Sequence, residues 1–201
     1  PFAMYHVDPD HKEREFLTLD ELTAMTEIKL EDPNMAFARD LFVFGCWTGI
    51  SFIDTKNLTE DKISMINGAP WIVSKRQKTG IPFQVKLMDI PMRIVERYKP
   101  LRKDCHLFNI GRLDTINKRI KKVAAMCGIK KRISYHVSRH TFAVLSLEYG
   151  MPIETVSKIL GHTNITTTQI YAKVTSSKLE HDISVFESRI KGHLPTMGGM
   201  A

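Results

Sequence analysis

The chain has 201 residues, 43% of them hydrophobic and 25% charged, and this balance excludes a protein that is disordered throughout. No run of about 18 apolar residues occurs, which excludes a transmembrane helix. The net charge of +7 is uneven: residues 1–60 carry 5 Lys/Arg and 12 Asp/Glu, whereas the remainder carries 24 and 10. That asymmetry favours a basic face that meets a polyanion, although lysines solvated on helix surfaces would also produce it.

The three cysteines, Cys46, Cys105 and Cys127, include no Cys-x-x-Cys pair. Neither a disulfide framework nor a zinc site is predicted, and a reduced cytoplasmic compartment fits this usage best. Residues 1–16 are polar and contain two prolines, which is typical of a linker, and the chain begins with Pro rather than Met. We therefore expect one domain, residues 17–201, preceded by a linker that belongs to a longer protein.

Capping residues place the first helices. The pattern Thr18-x-x-Glu21 is a capping box and predicts a short helix after it. Asn34 is predicted to cap the next helix, which is apolar nearly all round, is therefore expected to be buried, and ends at Gly49. A further short helix is expected to follow, with Asp54 on its exposed side.

Between residues 61 and 88 the hydrophobic period changes to the alternation of strands, and Asn-Gly and Thr-Gly turn dipeptides separate the apolar runs. This pattern predicts three antiparallel strands. On the second strand, Arg76 and Lys78 are two residues apart and are therefore expected to share one face.

The rest of the chain is predicted to be helical, in five segments: 91–98, 113–126, 136–149, 152–160 and 176–190. The expected fold class is therefore mainly α with a small three-stranded antiparallel sheet. Between Lys75 and Arg139 the chain holds 18 Lys/Arg and 4 acidic residues, so the positive charge is concentrated there. Residues 195–201 are expected to be a frayed tail.

Imidazole and guanidinium groups recur between apolar residues from His136 to Tyr171. His136 and Arg139 are three apart on a predicted helix and share a face, so both can reach one phosphate. Gly161 ends the next helix and lets the backbone turn, so that His162 can face the same site. A tyrosine hydroxyl is a weak nucleophile unless a base or positive surroundings help it. Each motif alone is commonplace, but together they predict a site that binds a phosphodiester and attacks it.

This stretch resembles the catalytic domain of tyrosine recombinases, the phage integrase superfamily. The resemblance covers roughly residues 18–190, and its hairpin is most similar to that of integrases from conjugative transposons and related mobile elements. The matching motifs are His136-x-x-Arg139-His140-Thr141, Leu160-Gly161-His162, Tyr171 after three threonines, Thr48-Gly49-Ile50 and the hairpin Arg76-Gln77-Lys78-Thr79-Gly80.

The resemblance implies a site-specific recombinase that needs no metal, ATP or other cofactor. Tyr171 would attack a DNA phosphate and form a 3′-phosphotyrosyl link, which a 5′-hydroxyl from a partner duplex then reverses. Arg139, His136 and His162 would stabilise the charge of the transition state. His136 would also accept the proton of Tyr171, and Lys78 would protonate the leaving 5′-oxygen.

The resemblance also implies partners. These are double-stranded DNA at attachment sites, a homotetramer assembled on DNA (with a monomer for the isolated domain), and accessory DNA-bending proteins, with no membrane. A separate DNA-binding domain would precede the linker, in a bacterial cytoplasm. The last helix would dock on a neighbouring protomer or pack on its own domain. Further DNA contacts are expected from Lys75, Arg76, Lys130, Lys131, Arg132 and His140.

One residue departs from the family pattern. Most members have an arginine two residues after the Thr-Gly pair, and this chain has Ser51 there. A serine brings no charge, so the contact that an arginine makes with the phosphate is missing. Our hypothesis is that Arg76 replaces it, because Arg76 is expected to share a strand face with Lys78.

Three alternatives remain. A catalytically impaired DNA-binding integrase fragment would explain Ser51. A type IB topoisomerase-like enzyme would share the chemistry of cleavage and religation. A metallohydrolase using His136, His140 and His162 is disfavoured, because no carboxylate ligand or intervening Glu accompanies them.

Overall fold

The computed structural model describes residues 14–172 and 176–191. The predicted tail and most of the predicted linker lie outside these residues. Within them the helices are α1 (Leu19–Glu27), α2 (Pro33–Thr48), α3 (Phe52–Lys56), α4 (Asp89–Tyr98), α5 (Leu113–Met126), α6 (Tyr135–Glu148), α7 (Ile153–Leu160), α8 (Thr166–Gln169) and α9 (Ser176–Ile190). The strands β1 (Ile63–Ile66), β2 (Ala69–Lys75) and β3 (Pro82–Lys86) form one antiparallel sheet in the order β1-β2-β3. The predicted fold class is confirmed.

The central helix is α2, and it is buried along most of its length, as predicted. Its predicted cap is wrong: Asp32 rather than Asn34 caps it, and the Asp32 carboxylate accepts a hydrogen bond from the Asn34 backbone N–H at 2.8 Å. Pro33 causes this shift, because a residue without an N–H fits the first helical position. Gly49 ends the helix in the left-handed conformation, with φ of 66°.

The hairpin between β2 and β3 differs from its prediction. Strand β2 ends at Lys75, and the next residues turn, with the Gly80 N–H donating to the Arg76 carbonyl at 2.7 Å. Arg76 turns inward and is 6% exposed, whereas Lys78 is exposed on the turn. The predicted common strand face of Arg76 and Lys78 is therefore wrong, because the chain is no longer extended there.

Asp54 was predicted to be exposed, but it is buried, with 8% of its surface accessible. Its carboxylate accepts hydrogen bonds from the Ser51 hydroxyl at 2.6 Å and from the Gln77 backbone N–H at 2.7 Å. Ser51 also caps α3 through the Asp54 N–H. This carboxylate therefore joins the start of α3 to the turn of the hairpin.

The segment before α1 packs on α6. Leu17 is fully buried, and its N–H donates to the Thr141 hydroxyl at 2.9 Å. The ammonium of Lys131 donates to the Phe16 carbonyl at 2.9 Å and pairs with Glu21 at 2.6 Å. The end of the predicted linker is thus fixed to the helical body.

The short helix α8 was not predicted, because its sequence of three threonines and a glutamine has no apolar period. Helix α9 was predicted, and it exposes two large side chains, Ile183 at 49% and Phe186 at 61%. Within the described residues, no helix is both long enough and apolar enough to cross a bilayer.

Helices α2 and α6 approach closely at Gly45. A Cβ there would overlap the Ser138 hydroxyl and lie 3.2 Å from the buried Tyr135 hydroxyl. We expect Gly45→Ala to lower the free energy of unfolding by about 1–3 kcal/mol, because crowding outweighs the better helix propensity of alanine. Urea denaturation measures this.

Gly111→Ala is the matched control, since a Cβ at Gly111 would meet nothing within 4 Å. Its effect should stay within about 1 kcal/mol. Equal unfolding free energies for the two variants would contradict the close approach.

Candidate active site

Arg139 joins the ends of two helices. Its Nη1 donates to the Gly49 carbonyl at 2.8 Å and its Nη2 to the Leu160 carbonyl at 2.6 Å. Carbonyls at helix C-termini lack partners within the helix and attract cations. Burial first, and then the charge of Arg76, lower the pKa of Arg139 to about 10, so it remains charged at neutral pH. Two of its five N–H donors are used in these bonds, which leaves others for a substrate.

Arg76 approaches the same end of α7 from the hairpin. Its Nη1 pairs with Asp54 at 3.0 Å and its Nη2 donates to the Ile159 carbonyl at 2.8 Å. The guanidinium lies 4.0 Å from the centre of the Phe83 ring. Within the described residues its buried Nε has no partner. Burial lowers the pKa of Arg76, and Asp54 opposes that shift.

Gly161 allows these groups to meet. It adopts φ of 63°, and a Cβ there would lie 2.8 Å from the Arg76 Nε. The next residue, His162, has its Nδ1 2.8 Å from the hydroxyl of the buried Thr168 on α8. Burial, followed by the charges of Arg139 and Arg76, lowers the pKa of His162 to about 4.

The Tyr171 hydroxyl contacts His140, and the oxygen lies 2.5 Å from its Nδ1. Burial first, and then the neighbouring His136 and Arg14, lower the pKa of His140 to about 4. His140 is therefore neutral at pH 7 and can accept the phenol proton. At 6% exposure it is poorly placed for the DNA contact that the sequence predicted.

His136 lies outside this pair. Its ring stands edge-on to that of His140, with the centroids 4.3 Å apart, and its side chain is exposed. Partial burial, together with Arg139 and Arg14, lowers its pKa. The geometry thus favours His140 as the proton acceptor and leaves His136 free to meet a phosphate. The spacing of four on a helix places both imidazoles on one side of α6.

The other predicted basic residues occupy two kinds of position. Lys75, Lys78, Lys130 and Arg132 are exposed. The ammonium of Lys131 is used within the protein, by Glu21 and Phe16. Within the described residues, Lys78 makes no hydrogen bond to the cluster around Tyr171, so its part in catalysis stays a prediction.

Sequence reasoning missed Arg14. Its Nη1 lies 3.4 Å from the Tyr171 hydroxyl oxygen, although 157 positions separate the two residues. Arg14 lies in a polar segment of mixed charge, and no period or motif distinguished it from a solvated linker residue.

A metal is disfavoured at this cluster, because guanidinium groups surround the histidines. Elsewhere among the described residues, one exposed loop brings together three potential ligands, Asp104, Cys105 and His106. The Asp104 carboxylate lies 2.9 Å from both the backbone N and the Nδ1 of His106, and these bonds account for the proximity without an ion.

Several proteins of known sequence are similar to this chain. The profile of the phage integrase family matches residues 15–178. A tyrosine recombinase of Pseudothermotoga lettingae is 47% identical over 60 residues, covering 30% of this chain and 21% of that protein. Tyrosine recombinase XerD of Oceanobacillus iheyensis is 26% identical over 192 residues, covering 87% of this chain and 64% of the relative. The chain thus spans less than two thirds of the length of these relatives.

Solved structures share the fold. The XerH site-specific recombinase bound to palindromic difH substrate gives a TM-score of 0.72 at 21% identity, covering 88% of this chain and 54% of that one. The Tn1549 transposon integrase in complex with transposon right end DNA gives 0.65 at 18% identity, covering 89% and 68%. The catalytic domain of bacteriophage HP1 integrase gives 0.62 at 21% identity, covering 87% and 96%. Since the family profile also matches most of the sequence, this chain belongs to the phage integrase family.

Proposed function

We propose that this chain is the catalytic domain of a site-specific DNA recombinase that integrates and excises a mobile element. The observation that carries the proposal is the Tyr171 hydroxyl held at a neutral imidazole, His140, among guanidinium groups. A nucleophile, a base and fixed cations are the groups that phosphoryl transfer needs. Relatives named tyrosine recombinase, and neighbours in fold that were solved with their DNA, support the substrate class.

The proposed reaction conserves the number of phosphoester bonds. The Tyr171 oxygen forms a bond to phosphorus as the bond from phosphorus to the 5′-oxygen breaks. The tyrosine proton passes to His140, and the leaving 5′-oxygen takes a proton from Lys78. The 3′-phosphotyrosyl link keeps the bond energy, so a 5′-hydroxyl of a partner duplex can reverse the step without a cofactor.

Arg139, His162 and His136 stabilise the phosphorane in this proposal. Arg139 is the best placed, because two carbonyls fix its guanidinium while other N–H donors remain for phosphate oxygens. His162 is fixed by Thr168, and His136 stands at the exposed edge. Donors that are already oriented lose little energy in reorganisation as charge develops.

Arg76 is proposed to supply the charge that Ser51 lacks. Support comes from Asp54, whose Oδ2 contacts both the Ser51 hydroxyl and the Arg76 Nη1. The guanidinium of Arg76 therefore lies beside the position of the expected arginine side chain. Its charge lowers the pKa of both Arg139 and His162, so its field reaches the site.

The proposed partners are double-stranded DNA at attachment sites and three further copies of the chain. The apolar side chains that α9 exposes, Ile183 and Phe186, support docking of this helix on a neighbouring protomer. Accessory DNA-bending proteins and a bacterial cytoplasmic location complete the proposal.

A catalytically impaired DNA-binding protein is the second candidate. Ser51 favours it, as does the use of both Arg76 terminal nitrogens within the protein. The two candidates differ in whether the chain forms a covalent bond to DNA.

The decisive test uses nicked duplexes of randomised sequence. In these duplexes the short 5′-hydroxyl strand diffuses away after cleavage, so a covalent protein–DNA adduct accumulates. We expect the wild-type chain to form the adduct and Tyr171→Phe to form none, because the variant lacks the nucleophilic oxygen. Denaturing gels and sequencing of the bound DNA measure the outcome. DNA binding without any adduct from the wild type would instead establish the impaired protein.

The role of Arg76 is tested with Arg76→Gln, alone and combined with Asp54→Asn. If Arg76 supplies the missing positive charge, both proteins should cleave the recovered DNA about 100-fold or more slowly than wild type. If Arg76 only neutralises Asp54, the double variant should recover, because no buried charge is left unpaired. Single-turnover adduct formation at saturating DNA measures this, with melting temperatures as the control for folding.

The neutral histidines predict a dependence of stability on pH. The unfolded chain binds a proton at His140 with an ordinary pKa of about 6.5, whereas the folded protein does so only at about 4. The contribution of neutral His140 to the free energy of unfolding is therefore complete above pH 6.5, and it is lost as the pH falls towards 4.

The non-titrating variant His140→Gln provides the comparison. We expect the unfolding free energy of the wild type to fall more steeply between pH 7 and pH 5 than that of His140→Gln, in urea titrations at each pH. Parallel curves would show that His140 titrates normally.

A further inference from the structure

Arg14 is held at the nucleophile by the packing of the segment that follows it. Three residues later, Leu17 is fully buried and its N–H is bonded to Thr141, the neighbour of His140 in α6. The Phe16 carbonyl, two residues after Arg14, accepts a hydrogen bond from the Lys131 ammonium. That ammonium also lies 5.4 Å from the centre of the Phe16 ring. These anchors fix the backbone, so the Arg14 side chain extends over His140 and Tyr171.

The guanidinium of Arg14 reaches the reacting atom itself. Its Nη1 lies 3.4 Å from the Tyr171 hydroxyl oxygen, and its Cζ lies 6.0 Å from the centre of the phenol ring. Burial is the main cause of the lowered pKa of His136, His140 and His162, and the charge of Arg14 adds to it. Arg76, in contrast, contributes to the lowered pKa of Arg139 and His162.

We propose that Arg14 is a catalytic residue that binds the scissile phosphate and orients Tyr171 for attack. The inference rests on the proposed recombinase function. In an attacking geometry the nucleophilic oxygen lies about 3–3.5 Å from phosphorus. A guanidinium in contact with that oxygen therefore stands beside the non-bridging phosphate oxygens and can bind two of them at once.

The exposure of the two arginines assigns them different tasks. Arg76 is 6% exposed, and its two terminal nitrogens are bound to Asp54 and to Ile159, so it acts chiefly through its field. Arg14 is exposed, and no carboxylate pairs with it among the described residues. Arg14 is thus the cation that is free to move onto a phosphate when DNA is bound. Arg14, in the segment before α1, supplies the contact with the phosphate that Ser51 does not make.

The step is the transesterification described above, and Arg14 gives up no proton in it. As the bond from Tyr171 to phosphorus forms, the guanidinium follows the negative charge from the phenol oxygen to the phosphorane oxygens. After cleavage it remains on the phosphotyrosyl group and supports the reverse attack by a 5′-hydroxyl in the same way.

The test compares Arg14→Ala and Arg14→Lys with Arg112→Ala in the full 201-residue chain. Arg112 is a matched control, since its side chain is 87% exposed, it pairs with Asp114 and with no residue of the Tyr171 cluster among the described residues, and its removal also takes away one positive charge. The substrates are nicked duplexes recovered from wild-type adducts, at saturating concentration and in single turnover. Half-site affinity and melting temperature are measured alongside.

We expect Arg14→Ala to cleave about 10- to 100-fold more slowly than Arg112→Ala, with affinities within about threefold of each other. Arg14→Lys should recover part of the rate, because it keeps the charge without the fork of donors. Unchanged melting temperatures should accompany these results.

Two results would overturn the proposal while the recombinase function stands. One is Arg14→Ala cleaving at the rate of Arg112→Ala, and the other is faster cleavage, which would show that the contact restrains Tyr171. A wild-type chain that forms no adduct would refute the recombinase function, and the role of Arg14 would be refuted with it.

Discussion

The structure depends on the guanidinium of Arg139, which bonds to the carbonyls that end α2 and α7. Each bond satisfies a helix end that has no internal partner and places a cation at the negative end of a helix dipole. The same solution recurs in the fold: Arg76 bonds to the Ile159 carbonyl, and Arg39 binds three carbonyls at and after the end of α1. Arg139 and Arg76 therefore serve the fold first, and their positive charge is fixed at the ends of these helices.

This arrangement has an electrostatic cost. Arg139 and Arg76 lie close enough for the charge of one to lower the pKa of the other, and Asp54 offsets only part of this repulsion. Burial first, and then neighbouring positive or imidazole groups, lower the pKa of His140 and His162, so both rings are neutral at pH 7. The lowered pKa of His140 follows chiefly from its burial between α6 and Tyr171.

Local patterns predicted much of the fold. The bounds of α5 follow from its apolar stripe, and the capping box fixes the start of α1. The turn glycine at position 49 marks the end of α2. The resemblance named Arg139 and His162 as site residues, and in the structure the Arg139 guanidinium and His162 both lie at the end of α7, where the Leu160 carbonyl accepts from Arg139 and His162 follows Gly161.

The wrong predictions share a cause. Outside helices and strands, the direction of a side chain depends on contacts with residues that are far away in the sequence. Arg76 turns inward because Asp54 and the end of α7 lie there, and no spacing of two can show this. Asp54 is buried because the hairpin folds over it. Arg14 meets Tyr171 across 157 positions, a contact that depends on Leu17 docking against Thr141. Such placements require the tertiary structure.

The contact between Gly161 and Arg76 has an evolutionary consequence. The space that a Cβ at position 161 would occupy is filled by the Arg76 side chain, with the nearest atom at 2.8 Å. A larger residue at position 161 would therefore displace the Arg76 side chain from the place it occupies here. The Arg76 side chain thus couples positions 76 and 161, which are far apart in the chain. Relatives with another residue at position 51 should be compared with this chain at positions 76 and 161 together.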